Sequence, residues 1–144
     1  EARTKRLVEA ARPMSVTCHR AFDMTADAGE ALEALIRCGV DRVLTSGQRD
    51  TAPEGLAILK SANEQAAGRI VIMGCGALDA HNIRDVRDGA GLTELHFAAL
   101  KTVPSGMAFR NPHVGMGGTE KDREYELTLT DRDAVRATIA AAKS

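Results

Sequence analysis

Tryptophan is absent from this chain, and only 3% of its residues are aromatic. That leaves too few rings for the stacking platforms that hold single-stranded nucleic acid. No charge sign dominates either: 19 Lys and Arg stand against 20 Asp and Glu, for a formal net charge of -1. A chain so balanced carries no basic footprint for nucleic acid or for an anionic membrane surface. No apolar run approaches the ~20 residues of a membrane span. The three cysteines, Cys18, Cys38 and Cys75, are odd in number and far apart, without a CxxC pair or zinc-type spacing. This usage argues against a disulfide framework and fits reduced thiols in a cytosolic protein. The start of the chain shows no signal-peptide pattern, so a cytoplasmic location is the expectation.

At 144 residues one domain is expected, able to bury roughly 68–70% of its unfolded surface. The most informative stretch is Thr17-Cys18-His19-Arg20-Ala21-Phe22-Asp23. A short apolar run over 14–18 reads as a buried strand, and it breaks at once into His, Arg and Asp. Strands of parallel sheets are normally apolar throughout. Ionisable groups at such a strand end cost solvation unless they meet a cavity, a ligand or each other.

The rest of the chain alternates regularly. A helix over 1–12 carries Leu7, Val8 and Ala11 at helical spacing and ends at Pro13. Further helices are expected over 27–38, 53–67, 80–87 and 131–142, and strands over 42–45, 70–73 and 92–97. Asp79, Asp131 and Thr51 are candidate caps. Strand starts recur about every 25 residues, against the ~31 per unit of an eightfold βα barrel. Alternating βα units imply a parallel sheet with right-handed crossovers. Four strands make half a TIM barrel, and no glycine fingerprint favours an open doubly wound sheet instead. Residues 99–130 read as one long irregular stretch, a lid or dimer contact, containing Met107, Phe109, Met116 and Tyr125.

Side chains alternate along a strand. Glu94 and His96 therefore share one face and Leu95 and Phe97 the other, so the polar pair is expected to point to the barrel axis. Catalytic groups of barrels come from the ends of several strands. His19, Arg20, Asp23 and His96 are accordingly the candidate acid–base and anion-binding residues. The structural alternative is an Arg20–Asp23 ion pair with His19 merely hydrogen-bonded. Ser46 and Gly47 follow one strand, and Gly74 and Gly76 frame the end of another. Their backbone N–H groups could approach a phosphate, and Arg110 could add charge.

The strings HRAFDM, ALEALIRCGVDRVLTSGQ, GRIVIMGCGAL and ELHFAAL, followed by MAFRNPHVGMGG and DREYELTLTD, resemble the CutC family of copper homeostasis proteins. The similarity runs in the same order over essentially the whole chain. It implies a TIM-barrel fold, cytoplasmic location, copper tolerance and Cu(I) binding. It also implies that this chain is the C-terminal part of the barrel. The first half, with an Arg-Ile-Glu-Leu-Cys-like strand and the cysteines thought to serve copper, is then missing. The chain departs from the family pattern at Cys18, at Gly74-Cys75-Gly76-Ala77, where a Pro-Gly-Gly-Gly-like string is usual, and at Ala98-Ala99.

Cu(I) prefers thiolate and thioether ligands. Cys75 is the candidate metal ligand, at the open mouth with Met73 and with Met107 or Met116 nearby. Cys18 and Cys38 are expected to pack. A half barrel exposes two sheet edges and one face, which invites pairing with another chain. Self-association, or docking on the missing N-terminal half, is therefore expected. Three functions compete: Cu(I) handling, an enzyme acting on a small phosphate- or carboxylate-bearing ligand, and a non-catalytic barrel fragment.

Overall fold

Thr17 in the first strand pairs with Arg42 in the second, Arg42 with Val71 in the third, and Met73 with Glu94 in the fourth, all in parallel. These pairings come from a computed structural model that describes residues 1–115 and 123–144. Helix α1 (Ala2–Ala11) precedes β1 (Thr17–Cys18), a 3-10 turn (Arg20–Met24) and α2 (Ala28–Arg37). Then come β2 (Arg42–Thr45), α3 (Leu56–Ala66), β3 (Val71–Cys75), α4 (Ile83–Ala90) and β4 (Glu94–His96). The sheet order is β1-β2-β3-β4. Each neighbouring pair is thus joined by a helical crossover, as parallel pairing requires.

The helices cover one face of the sheet. Val43 and Ile72 point into that layer and are fully buried with Leu32, Leu59, Ile83 and Val86. The opposite face carries Arg42, Leu44, Val71, Met73 and Glu94, all partly buried, and the exposed Thr17. Arg42 donates both to Thr17 Oγ1, at 3.5 Å, and to the Glu94 carboxylate, through Nη2 at 2.8 Å and through Nε. One guanidinium therefore ties β1, β2 and β4 together across this face. Its hydrogen bonds hold the Glu94 carboxyl below the usual range despite partial burial.

Local sequence explains the element ends. Asp27 Oδ1 accepts from the Glu30 amide at 2.8 Å and caps α2. Thr51 and Glu54 form a reciprocal capping box, with N–H···O distances of 3.2 and 3.4 Å. That box closes a separate turn, so α3 begins at Leu56 rather than at 53. Asp41 accepts from the Val16 amide at 2.7 Å and from Arg12 at 2.9 Å, which aligns β1 with the start of β2. Strand pairing spans only Thr17–Cys18, shorter than the expected 14–18; Met14 lies in the preceding turn and is 67% exposed.

The largest departure lies in 99–130. This stretch contains an antiparallel hairpin, β5 (Leu100–Pro104) with β6 (Glu126–Thr130), registered from Leu100↔Thr130 to Pro104↔Glu126. Helix α5 (Arg132–Lys143) follows, capped by Asp131 Oδ1 on the amides of Asp133 and Ala134. The Lys101, Thr102 and Val103 alternation was short and interrupted by Pro104, so its period was invisible without its partner strand. Met116 lies outside the described residues. Truncation of the completely buried Leu59 in α3 is expected to cost about 2–5 kcal/mol. Urea unfolding of Leu59→Ala checks this, with Met14→Ala as a near-neutral control.

Candidate functional site at the carboxyl ends of the strands

The 3-10 turn after β1 exists because His19 caps it: Nδ1 accepts from the Ala21 amide at 3.0 Å. The turn swings Asp23 under the loop that leaves β2. Asp23 then accepts from Thr45 Oγ1 at 2.5 Å, from the Ser46 amide and hydroxyl at 3.1 and 3.0 Å, and from the Gln48 amide at 3.1 Å. Arg20 Nε adds a charge-assisted bond at 2.8 Å. Burial pushes the Asp23 carboxyl up, but the bonds from Thr45, Arg20 and the Gln48 and Ser46 amides outweigh it and hold the carboxyl below its ordinary value.

Arg20 is fixed at a second point. Its Nη2 donates to Ser46 Oγ at 2.5 Å and to the Arg49 carbonyl at 3.0 Å. The Arg20 side chain is nonetheless 46% exposed, and its Nη1 has no acceptor among the described residues. Thr45 and Ser46 are completely buried, and Gln48 Nε2 donates to the Thr25 carbonyl at 2.7 Å. Two segments distant in sequence are thus joined into one rigid rim.

The glycines of the rim serve close packing. Gly47 has φ +74, and a Cβ there would lie 2.3 Å from the Gly55 carbonyl oxygen. It lets the loop after β2 pass against the turn that opens α3. Gly76 has φ +101, and its carbonyl accepts from the Ala52 amide at 2.9 Å. Gly74 faces the helices, where a Cβ would meet Leu92 at 2.7 Å.

Because Gly74 faces the helices, alternation turns Met73 and Cys75 to the open face. Cys75 is in register with His96, and Met73 with Glu94. Cys75 is 2% exposed yet lies outside the apolar cluster that fills the helix layer. Burial pushes its thiol up; the nearby Arg20 charge pulls it down and Asp23 pushes it up again. Cys18 and Cys38 sit on the helix side, donating to the His19 and Glu1 carbonyls at 3.6 and 3.5 Å. The Cys75 thiol makes no hydrogen bond among the described residues.

His96 is exposed at the end of β4, and His19 follows β1. With strands ~4.8 Å apart, these two histidines belong to opposite edges of the sheet and are not neighbours. Arg110 lies in the β5–β6 connection, 5.0 Å from the Tyr125 ring centroid in a cation–π contact. The site as placed therefore gathers His19, Arg20, Asp23, Ser46, Gly47, Gly76 and Cys75 along one rim. Sequence reasoning missed Thr45, Gln48 and Arg42. Their polar positions within or just after a strand were the available signal. Among the described residues no three His, Cys, Asp or Glu side chains converge on one point.

This arrangement is a partial α/β barrel with a polar rim at the strand ends, the place where barrel proteins hold their ligands. Known proteins define it further: the CutC family profile matches residues 1–101, and this chain belongs to the CutC family. A family protein CutC from Mesorhizobium japonicum is 65% identical over all of this chain and 56% of the relative. The human copper homeostasis protein cutC homolog is 46% identical over 96% of this chain and 50% of that protein. A crystal structure of a CutC from Streptococcus agalactiae aligns at TM-score 0.59 and 26% identity, over 64% of this chain and 46% of the other. The chain spans about half the length of the curated relatives it matches. No helix among the described residues is long and apolar enough to cross a membrane.

Folding lowers the Asp23 pKa, so its stabilising effect is present above the unfolded value of about 3.9 and is lost as pH falls through the lower folded value. Asp23→Asn is expected to destabilise the chain by about 1–3 kcal/mol at neutral pH. It should also flatten this part of the acid limb. Thermal melts from pH 2 to 7 would reveal both effects.

Proposed function

We propose that this chain acts in copper homeostasis as a cytoplasmic Cu(I)-handling unit, with Cys75 as metal ligand. The observation that carries this reading is the Cys75 thiol: buried at the strand ends, outside the apolar core and without a hydrogen-bond partner among the described residues. A soft thiolate favours Cu(I) over hard cations, and the names of the relatives point to the same metal. Copper is cargo in this reading, taken up and released. The open face of the sheet and its unpaired edges β1 and β4 support closure by a further barrel unit, either a second copy or the N-terminal half.

A second reading has its own observation. Arg20 is clamped by Asp23 and Ser46 while nearly half of its side chain remains exposed. A guanidinium held in this way is pre-positioned for the phosphate or carboxylate of a small ligand. In that reading Arg20 binds the anion, Asp23 orients Arg20, and the Ser46, Gly47, Gly74 and Gly76 backbone borders the ligand. His19 and His96 are the groups able to carry a proton, and Arg110 adds charge from the β5–β6 connection.

Anaerobic titration against a chromogenic Cu(I) chelator separates the readings. Cys75→Ser is expected to abolish competition for Cu(I), whereas Cys18→Ser and Cys38→Ser should leave it unchanged. Copper binding that survives Cys75→Ser would overturn the first reading. A phosphate-dependent rise in melting temperature that disappears in Arg20→Ala would favour the second.

A further inference from the structure

Four side chains form a two-by-two grid on the open face of β3 and β4. Met73 stands beside Glu94, and one step nearer the strand ends Cys75 stands beside His96. Alternation puts both members of each strand on the same side, and strands ~4.8 Å apart bring the pairs within reach of one small ion. Three of the four are donors of the soft and borderline kind: a thioether, a thiol and an imidazole.

The fourth corner is closed off. The Glu94 carboxylate is held by both Arg42 Nε and Arg42 Nη2. A carboxylate so paired is a poor ligand for a cation, since binding would displace a guanidinium. Arg42 thereby takes the hard oxygen donor out of the grid and leaves the sulfurs and the imidazole. Met73 is partly buried and His96 exposed, so an ion can arrive from the open face while the buried Cys75 closes the inner side.

We infer that Met73, Cys75 and His96 together form a Cu(I) site of thioether, thiolate and imidazole donors. The inference rests on the copper reading above and adds the ligand set to it. On binding, the Cys75 S–H bond breaks, a Cu–S bond forms, and the proton leaves to solvent; copper and sulfur keep their oxidation states. Met73 and His96 then donate lone pairs without losing a proton.

The test compares the whole chain with Met73→Leu, His96→Gln and Cys75→Ser in anaerobic Cu(I) titrations against the chelator. X-ray absorption of the copper-loaded chain provides a second readout. Met73→Leu and His96→Gln are each expected to weaken Cu(I) binding by about tenfold or more. The absorption spectrum should contain both sulfur and imidazole nitrogen. Met73 and His96 are not core positions, so these variants keep the test decisive even if Cys75→Ser does not fold. If both variants bind within about twofold of the parent, the ligand set is wrong, and loss confined to Cys75→Ser would leave the copper reading standing. A parent chain that cannot compete for Cu(I) would overturn both.

Discussion

One carboxylate organises the polar rim at the carboxyl ends of the strands. Asp23 accepts from Thr45, Ser46, Gln48 and Arg20, which come from the end of β2, the loop after it and Asp23's own 3-10 turn. Without it, the buried Thr45 hydroxyl and the Ser46 and Gln48 amides would be left as unsatisfied donors, each a penalty of about 1–3 kcal/mol. With it, the loops become one rim. That rim fixes the Arg20 guanidinium and, through Ser46 against Gly76, borders the end of β3.

The sheet divides labour between its faces. Val43 and Ile72 bury themselves under α2, α3 and α4 and supply the hydrophobic stabilisation. The other face trades packing for polarity, with Arg42 bridging to Glu94 and Met73, Cys75 and His96 nearer the carboxyl ends. This separation, apolar packing toward the helices and polar side chains on the open face, fits the partial α/β barrel that the structural match supports.

Much of this was legible in the residues. The βα alternation, the four parallel strands and the Asp131 cap follow from apolar period and cap chemistry. The inward parity of Glu94 and the packing roles of Cys18 and Cys38 follow from strand alternation and helix position. The hairpin β5–β6 was not legible: its strands lie more than 20 residues apart, and neither has a buried face to impose a period. The partners of Asp23 were hidden for a related reason. Arg20 lies three residues away and suggested itself, whereas Thr45 and Gln48 reach Asp23 only through the tertiary fold. The packing role of the glycines was hidden in the same way: in the structure the missing Cβ of Gly47 and of Gly74 makes room for Gly55 and Leu92.

The dependence of the rim on Asp23 is tested most directly by native-state hydrogen exchange at the Ser46 and Gln48 amides. Both lie in a loop, where amides normally exchange through small local openings. If the Asp23 carboxylate holds them as described, they exchange about as slowly as the amides within β2 and β3, and they become fast in Asp23→Asn. Rapid exchange in the parent chain, at rates typical of a solvent-exposed loop, would contradict the account.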